Sequence, residues 1–160
     1  MPADVQWHVI GHLQTNKLKL VLPYVSLVQS VDSLHLLQAI STWAVANSRV
    51  IDVLLELNLG EEETKQGFSE DEILSICHSE RSEESIRIRG LMGMASNTED
   101  RAQVEGEFAR IEALYKRIKA SGMEGFDTLS IGMSGDWPLA VQHGATMVRI
   151  GTDIFGPREY

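Results

Sequence analysis

Ser134, Gly151 and Thr152 are the residues whose types and places fit one piece of chemistry. Ser134 follows a short apolar run, residues 129–133, and Gly151-Thr152 follow another, residues 147–150. Read as strands, both runs end on backbone N–H groups and a small hydroxyl, with little side-chain bulk nearby. Ser134-Gly135-Asp136 is good N-cap material for a short helix over 137–143, and Gly144 stands where a C-cap glycine belongs. Amide donors, a helix start and two hydroxyls are the donor set of a phosphate cradle. In an eight-fold βα barrel the loops after strands seven and eight are a frequent phosphate site. One glycine turn would only be a turn; two consecutive strand ends favour an anion.

Other residues gather round that pair. Gly132 and Met133 close the first strand. Arg149 lies two residues before Gly151, so on a strand both point to one face. Unpaired arginine is rarely buried; a salt bridge to a neighbouring strand and a ligand contact both remain open. His12 and Asn16 follow the first apolar run, on the side where barrel sites lie. His8 and His12 are four apart across strand and turn, not helix, so no metal site is expected. Met92, in RGLMGM, is placed either to pack on a ligand ring or to fill the core. Lys65 falls in an acidic loop on the same rim, where balancing Glu61, Glu62 and Glu63 is sufficient work for it.

The elements that must position these residues alternate. Strands are expected over 7–11, 26–31, 50–59, 86–94, 129–133 and 147–150. Helices lie between them: 34–47 with Leu37, Ile40, Ala44 and Val45 near one face, one opened by the Ser69/Glu72 capping box, and one from a Thr98 cap to about Ser121. That alternation means a parallel sheet, and the near-continuous apolar strands mean both faces are covered. A doubly wound sheet and a barrel fit this pattern equally well.

Bulk properties narrow the function. A chain of 160 residues that is 43% hydrophobic suits one soluble domain. A net charge of −9 argues against nucleic acid, which needs a basic face. The one cysteine, Cys77, excludes an internal disulfide and fits a reducing cytoplasm. No signal-peptide pattern opens the chain, and no run approaches the ~18 apolar residues of a membrane span.

Five motifs carry a resemblance: WHVIGHLQTNK, SVDSL, LLELNLGEEETKQGF, RGLMGM, and LSIGMSGDW followed by GATMVRIGTDIFGPREY. In order and spacing they resemble the pyridoxal-phosphate-binding homeostasis family, over nearly all of the chain. HSERSEES, residues 78–85, departs from it as a polar insert. The resemblance implies an α/β fold, a parallel βα barrel of the TIM and alanine racemase N-terminal type. It is here incomplete, with about six of eight βα units in a single domain over 1–160. It implies a non-catalytic pyridoxal 5'-phosphate-binding protein of cofactor homeostasis, delivering the cofactor to apo-enzymes in the cytoplasm. It also assigns Ser134, Gly151, Thr152 and Arg149 to the cofactor, with Arg149 facing the pyridine nitrogen; Gly132, Met133, His12 and Met92 join them as cofactor-binding candidates by their places at the strand ends.

The family's first two βα units, with its Schiff-base lysine, have no counterpart among these residues. A fragment, an internal start and a shortened relative all fit that. The alternatives are a racemase-like enzyme on the same barrel and a truncated chain that binds nothing. Six strands should also leave two open edges and an uncovered apolar lumen, hence self-association.

Overall fold

Strand order separates the two folds that the sequence pattern leaves open. The computed structural model describes residues 4–60, 66–79 and 84–157. Its strands are β1 (His8–Val9), β2 (Leu27–Val31), β3 (Ile51–Leu57), β4 (Ile86–Gly93), β5 (Thr128–Met133) and β6 (Met147–Arg149). They form one sheet in the order β1-β2-β3-β4-β5-β6, every neighbouring pair parallel. A doubly wound sheet reverses its order at a switch point, whereas a barrel adds each strand beside the last. This chain does the second, so the incomplete barrel is the correct reading.

The sheet is also curled. Flat, it would hold β2 and β5 about 14 Å apart, three spacings of roughly 4.8 Å. Yet Ser130 Oγ on β5 donates to Gln29 Oε1 on β2 at 2.6 Å. Close strand approach contributes at Gly90, where a Cβ would lie 1.7 Å from the Thr128 carbonyl oxygen. Any side chain there would push β4 from β5.

Helices cover the outer face. A 3-10 turn, Thr15–Lys17, leads into α1 (Leu18–Val21). α2 (Leu34–Ala46) starts at Ser33, whose hydroxyl accepts from Leu36 N at 3.3 Å, and buries Leu36, Leu37, Ile40 and Ala44. Val45 was expected on that stripe but is 67% exposed, because it falls just past the edge of the face. α3 (Glu70–Ser79) opens with the expected box: Ser69 N donates to Glu72 Oε2 and Glu72 N to Ser69 Oγ. α4 (Arg101–Ala120) is capped by Asp100, which accepts from Ala102 N and Gln103 N. Thr98, the expected cap, instead accepts from Asp100 N and so fixes the capping residue. From α4, Val104, Phe108, Ile111, Tyr115 and Ile118 recur at helical spacing and are buried. Fully burying Phe108 is worth about 1.5–3 kcal/mol. α5 (Trp137–Gln142) and α6 (Thr152–Phe155) are short and follow β5 and β6. Among the described residues no helix is long and apolar enough to cross a membrane.

The lumen is layered. Alternate β3 residues Asp52, Leu54 and Glu56 share its inner face. At the bottom, Asp52 pairs with Arg87 (2.6 Å) and Arg89 (3.0 Å), and Arg89 with Asp127 (2.6 Å). In the middle, Leu27, Leu54 and Met92 form a small apolar cluster with Met147 against it. At the top, Gln29, Glu56, Ser130 and Arg149 are all buried. The lumen is therefore not the uncovered apolar surface expected of six strands: its upper layer is polar and cross-bonded.

Candidate functional site

The carboxyl ends of β5 and β6 bring Ser134, Gly151 and Thr152 together. Gly132, at φ +92°, lets β5 turn tightly: a Cβ there would meet Ala140 Cβ at 2.6 Å and Trp137 Cα at 3.0 Å. Gly132 thus seats α5 rather than opening space. Met133 is exposed at the turn, and its N–H donates to Asp136 Oδ1 at 2.6 Å. Asp136 holds the N-cap position of α5, but its side chain folds back over the strand end instead of capping the helix.

Ser134 Oγ accepts from Gly151 N at 3.2 Å and from Asp153 N at 3.4 Å. A hydroxyl that accepts twice keeps its own O–H to donate outward. Thr152, exposed beside it, adds a second hydroxyl, and a Cβ on Gly151 would meet nothing within 4 Å. These residues line a cleft of about 1210 Å³ that reaches Arg149 on β6 and Ile10 beyond β1.

Arg149 is 8% exposed and donates to three oxygens of the neighbouring strands. Nη1 donates to Ser130 O (2.8 Å) and Ser130 Oγ (2.7 Å), and Nη2 to Gly93 O (2.8 Å). Burial lowers its pKa, while Asp136 and Glu56 oppose that. No described carboxylate lies within salt-bridge distance of it. Arg149 therefore ties β4, β5 and β6 at the level where a ligand would enter.

From Ser130 the bonds continue across the lumen. Gln29 accepts from Ser130 and donates to His8 Nδ1 at 3.0 Å. Burial lowers the pKa of His8, in keeping with a neutral ring that accepts at Nδ1. Met92 sits beneath this layer, fully buried, as a packing residue.

At the β1, β2 and β3 ends stands an acidic group. His12 Nδ1 donates to Asp32 Oδ2 at 3.0 Å, the carboxylate 7% exposed and the ring 51%. Asn16 and Ser33 join them around a cavity of about 420 Å³. Glu56, only 6% exposed, has its pKa raised to about 7 by burial and by Asp32, against the pull of Arg149 and His12. No described side chain donates a hydrogen bond to it. Sequence reasoning passed over Glu56 and Gln29, although each is a polar residue inside an apolar strand, the same signal that singled out Arg149. Lys65 and the acidic loop at 61–63 lie outside the described residues, and Lys17 is exposed on the 3-10 turn. No group of three or more metal-ligating side chains occurs among the described residues.

Comparison with known proteins places this geometry. The family model for the alanine racemase N-terminal domain matches residues 2–159. A pyridoxal phosphate homeostasis protein of Haemophilus influenzae is 34% identical over 158 residues, 98% of this chain and 67% of the relative. The structure of PipY from Synechococcus elongatus with PLP bound superposes at a TM-score of 0.86 with 30% identity, covering 96% of this chain and 71% of that one. A protein of unknown function from Bifidobacterium adolescentis superposes at 0.89 with 37% identity, over 94% of this chain and 60% of its own. The chain thus spans about two thirds of the length of these relatives.

Proposed function

We propose a cofactor-holding function from one premise: the chain belongs to the alanine racemase N-terminal domain family. It binds pyridoxal 5'-phosphate at the carboxyl rim and serves pyridoxal phosphate homeostasis, keeping the cofactor and passing it to apo-enzymes. The observation that carries this is Ser134, bridging the Gly151 and Asp153 amides with its own O–H left to donate. That donor set, with the Thr152 hydroxyl and the open space at Gly151, fits a phosphate. The names of the relatives support the same reading, and PipY holds PLP on this fold.

The whole chain, 1–160, acts in this reading as one cofactor-binding domain without catalysis. A racemase-like activity would draw on His12 and Asp32, but exchange at a carbon needs acid–base groups on two sides. The buried Cys77 and the acidic composition support a cytoplasmic protein.

The test is calorimetric titration with pyridoxal 5'-phosphate, alone and against inorganic phosphate. Phosphate should compete. Gly151→Val should remove binding while leaving the melting temperature unchanged, because the side chain enters empty space beside the amides. Undiminished affinity in that variant would remove the cradle.

A further inference from the structure

We propose that Glu107 is a positioning residue for the cleft: it holds the loop between β4 and α4 in the shape that receives the part of the ligand beyond its phosphate. The proposal rests on the cofactor reading above and names the wall that selects the whole cofactor over free phosphate. Glu107 stands on the buried face of α4, between Val104 and Phe108, and is 7% exposed. A carboxylate on that apolar stripe is costly unless it is bonded. Among the described residues no Lys, Arg or His lies within salt-bridge distance of it. Its oxygens turn instead to the loop. Ser96 N donates to Oε2 at 2.7 Å and Ser96 Oγ to Oε1 at 2.6 Å, while Gln103 Nε2 donates to Oε1 at 3.3 Å.

Two bonds from one residue to both oxygens of a carboxylate fix orientation as well as position, and charge-assisted bonds of this length are the strong ones. The circuit then closes on the helix. Thr98 N donates to Ser96 O at 3.0 Å, Thr98 Oγ1 accepts from Asp100 N at 3.1 Å, and Asp100 caps α4. The loop so held is a wall of the site: Ser96, Asn97 and Arg101 line the same cleft as Ser134 and Gly151. At about 1210 Å³ that cleft has the size that takes a whole organic ligand rather than an inorganic ion. Cradle and loop therefore serve different parts of one ligand. Packing alone gives no reason for an acid at position 107. A leucine there would continue the stripe, and replacing buried charged groups by apolar ones is often neutral or stabilising. What the carboxylate adds is the placement of Ser96.

The experiment titrates pyridoxal 5'-phosphate and inorganic phosphate, by calorimetry, into the unaltered chain, Glu107→Leu and Glu107→Gln. Glu107→Leu should melt no lower than the unaltered chain, yet bind pyridoxal 5'-phosphate about tenfold more weakly, as when the loop holds its receiving shape about a tenth of the time. Inorganic phosphate, which needs the Ser134 end alone, should stay within about twofold. Glu107→Gln keeps the shape and one acceptor oxygen, so it should recover part of the lost affinity. Hydrogen exchange of the 95–98 amides should be faster in Glu107→Leu than in the unaltered chain. Should Glu107→Leu fail to fold, Glu107→Gln carries the same comparison of the two ligands. Cofactor affinity unchanged in the variants, or a loss shared equally by free phosphate, overturns the proposal while leaving the phosphate cradle standing. Failure of both ligands to bind the unaltered chain overturns the cradle and this proposal together.

Discussion

Gln29 on β2 donates from Nε2 to the sulfur of Met147 on β6 at 3.2 Å, across 118 residues of chain. In a flat sheet the two strands would stand about 19 Å apart, four spacings. The same amide group also reaches His8 and accepts from Ser130. One side chain therefore ties β1, β2, β5 and β6 across the lumen. It does so with neutral groups, which hold geometry without the desolvation cost of a buried charge.

Removing that brace should loosen the whole curl. Gln29→Ala strands the acceptor on His8 and leaves Ser130 without its partner, at a cost of about 1–3 kcal/mol. Urea titration should show a lower midpoint. An unchanged midpoint would mean that the backbone ladders alone set the curvature.

Glu56 should make stability fall as pH rises. Its folded pKa is raised to about 7, against an unfolded value near 4.3. Between those values the folded chain holds the extra proton, so stability is greatest below about pH 4.3 and declines up to about pH 7. Asp32 deepens the effect, and Arg149 and His12 reduce it. Melting the chain and Glu56→Gln side by side should show this component of the slope in the first and its loss in the second. Parallel pH profiles would contradict it.

Tyr115 offers a gain. Its ring stacks on Phe126 with centroids 5.3 Å apart, but its hydroxyl is buried with no hydrogen-bond partner among the described residues. Tyr115→Phe keeps the stack and removes an unsatisfied donor. The melting temperature should rise by a few degrees, corresponding to about 1 kcal/mol. A drop would show that water reaches the hydroxyl.

The two outer strands should drive association of the 160-residue chain. Among the described residues β1 pairs only with β2, and β6 only with β5. Trp7 and Ile10 flank β1, Ile154 and Phe155 follow β6, and all four are exposed, Phe155 at 85%. Open edges beside apolar side chains favour pairing with another copy. Light scattering should report a mass that grows with concentration. A concentration-independent monomer with a cooperative melt would show that the internal brace suffices.

Much of this architecture was legible in the residues. Alternating apolar runs and capped amphipathic segments marked six strands and their helices, because burial imposes its period locally. Small residues at 134 and 151–152 marked the rim where the cradle is proposed, and the structure brings them together through Ser134 Oγ. The cap of α4 was misplaced by two residues: Thr98 and Asp100 are both capping types, and it is the Asp100 side chain that accepts from the first-turn amides while Thr98 accepts from Asp100 N.

The sequence by itself determined the elements, the family and the small polar residues of the proposed cradle, since each depends on side-chain type and near-neighbour spacing. Tertiary structure decided three further matters. It ordered the strands so that they curl, it joined Gln29 to Met147 across the lumen, and it turned Arg149 to Ser130 and Gly93. None of these is written in local pattern, because which buried polar group finds which partner depends on distances set by the curvature of the whole sheet.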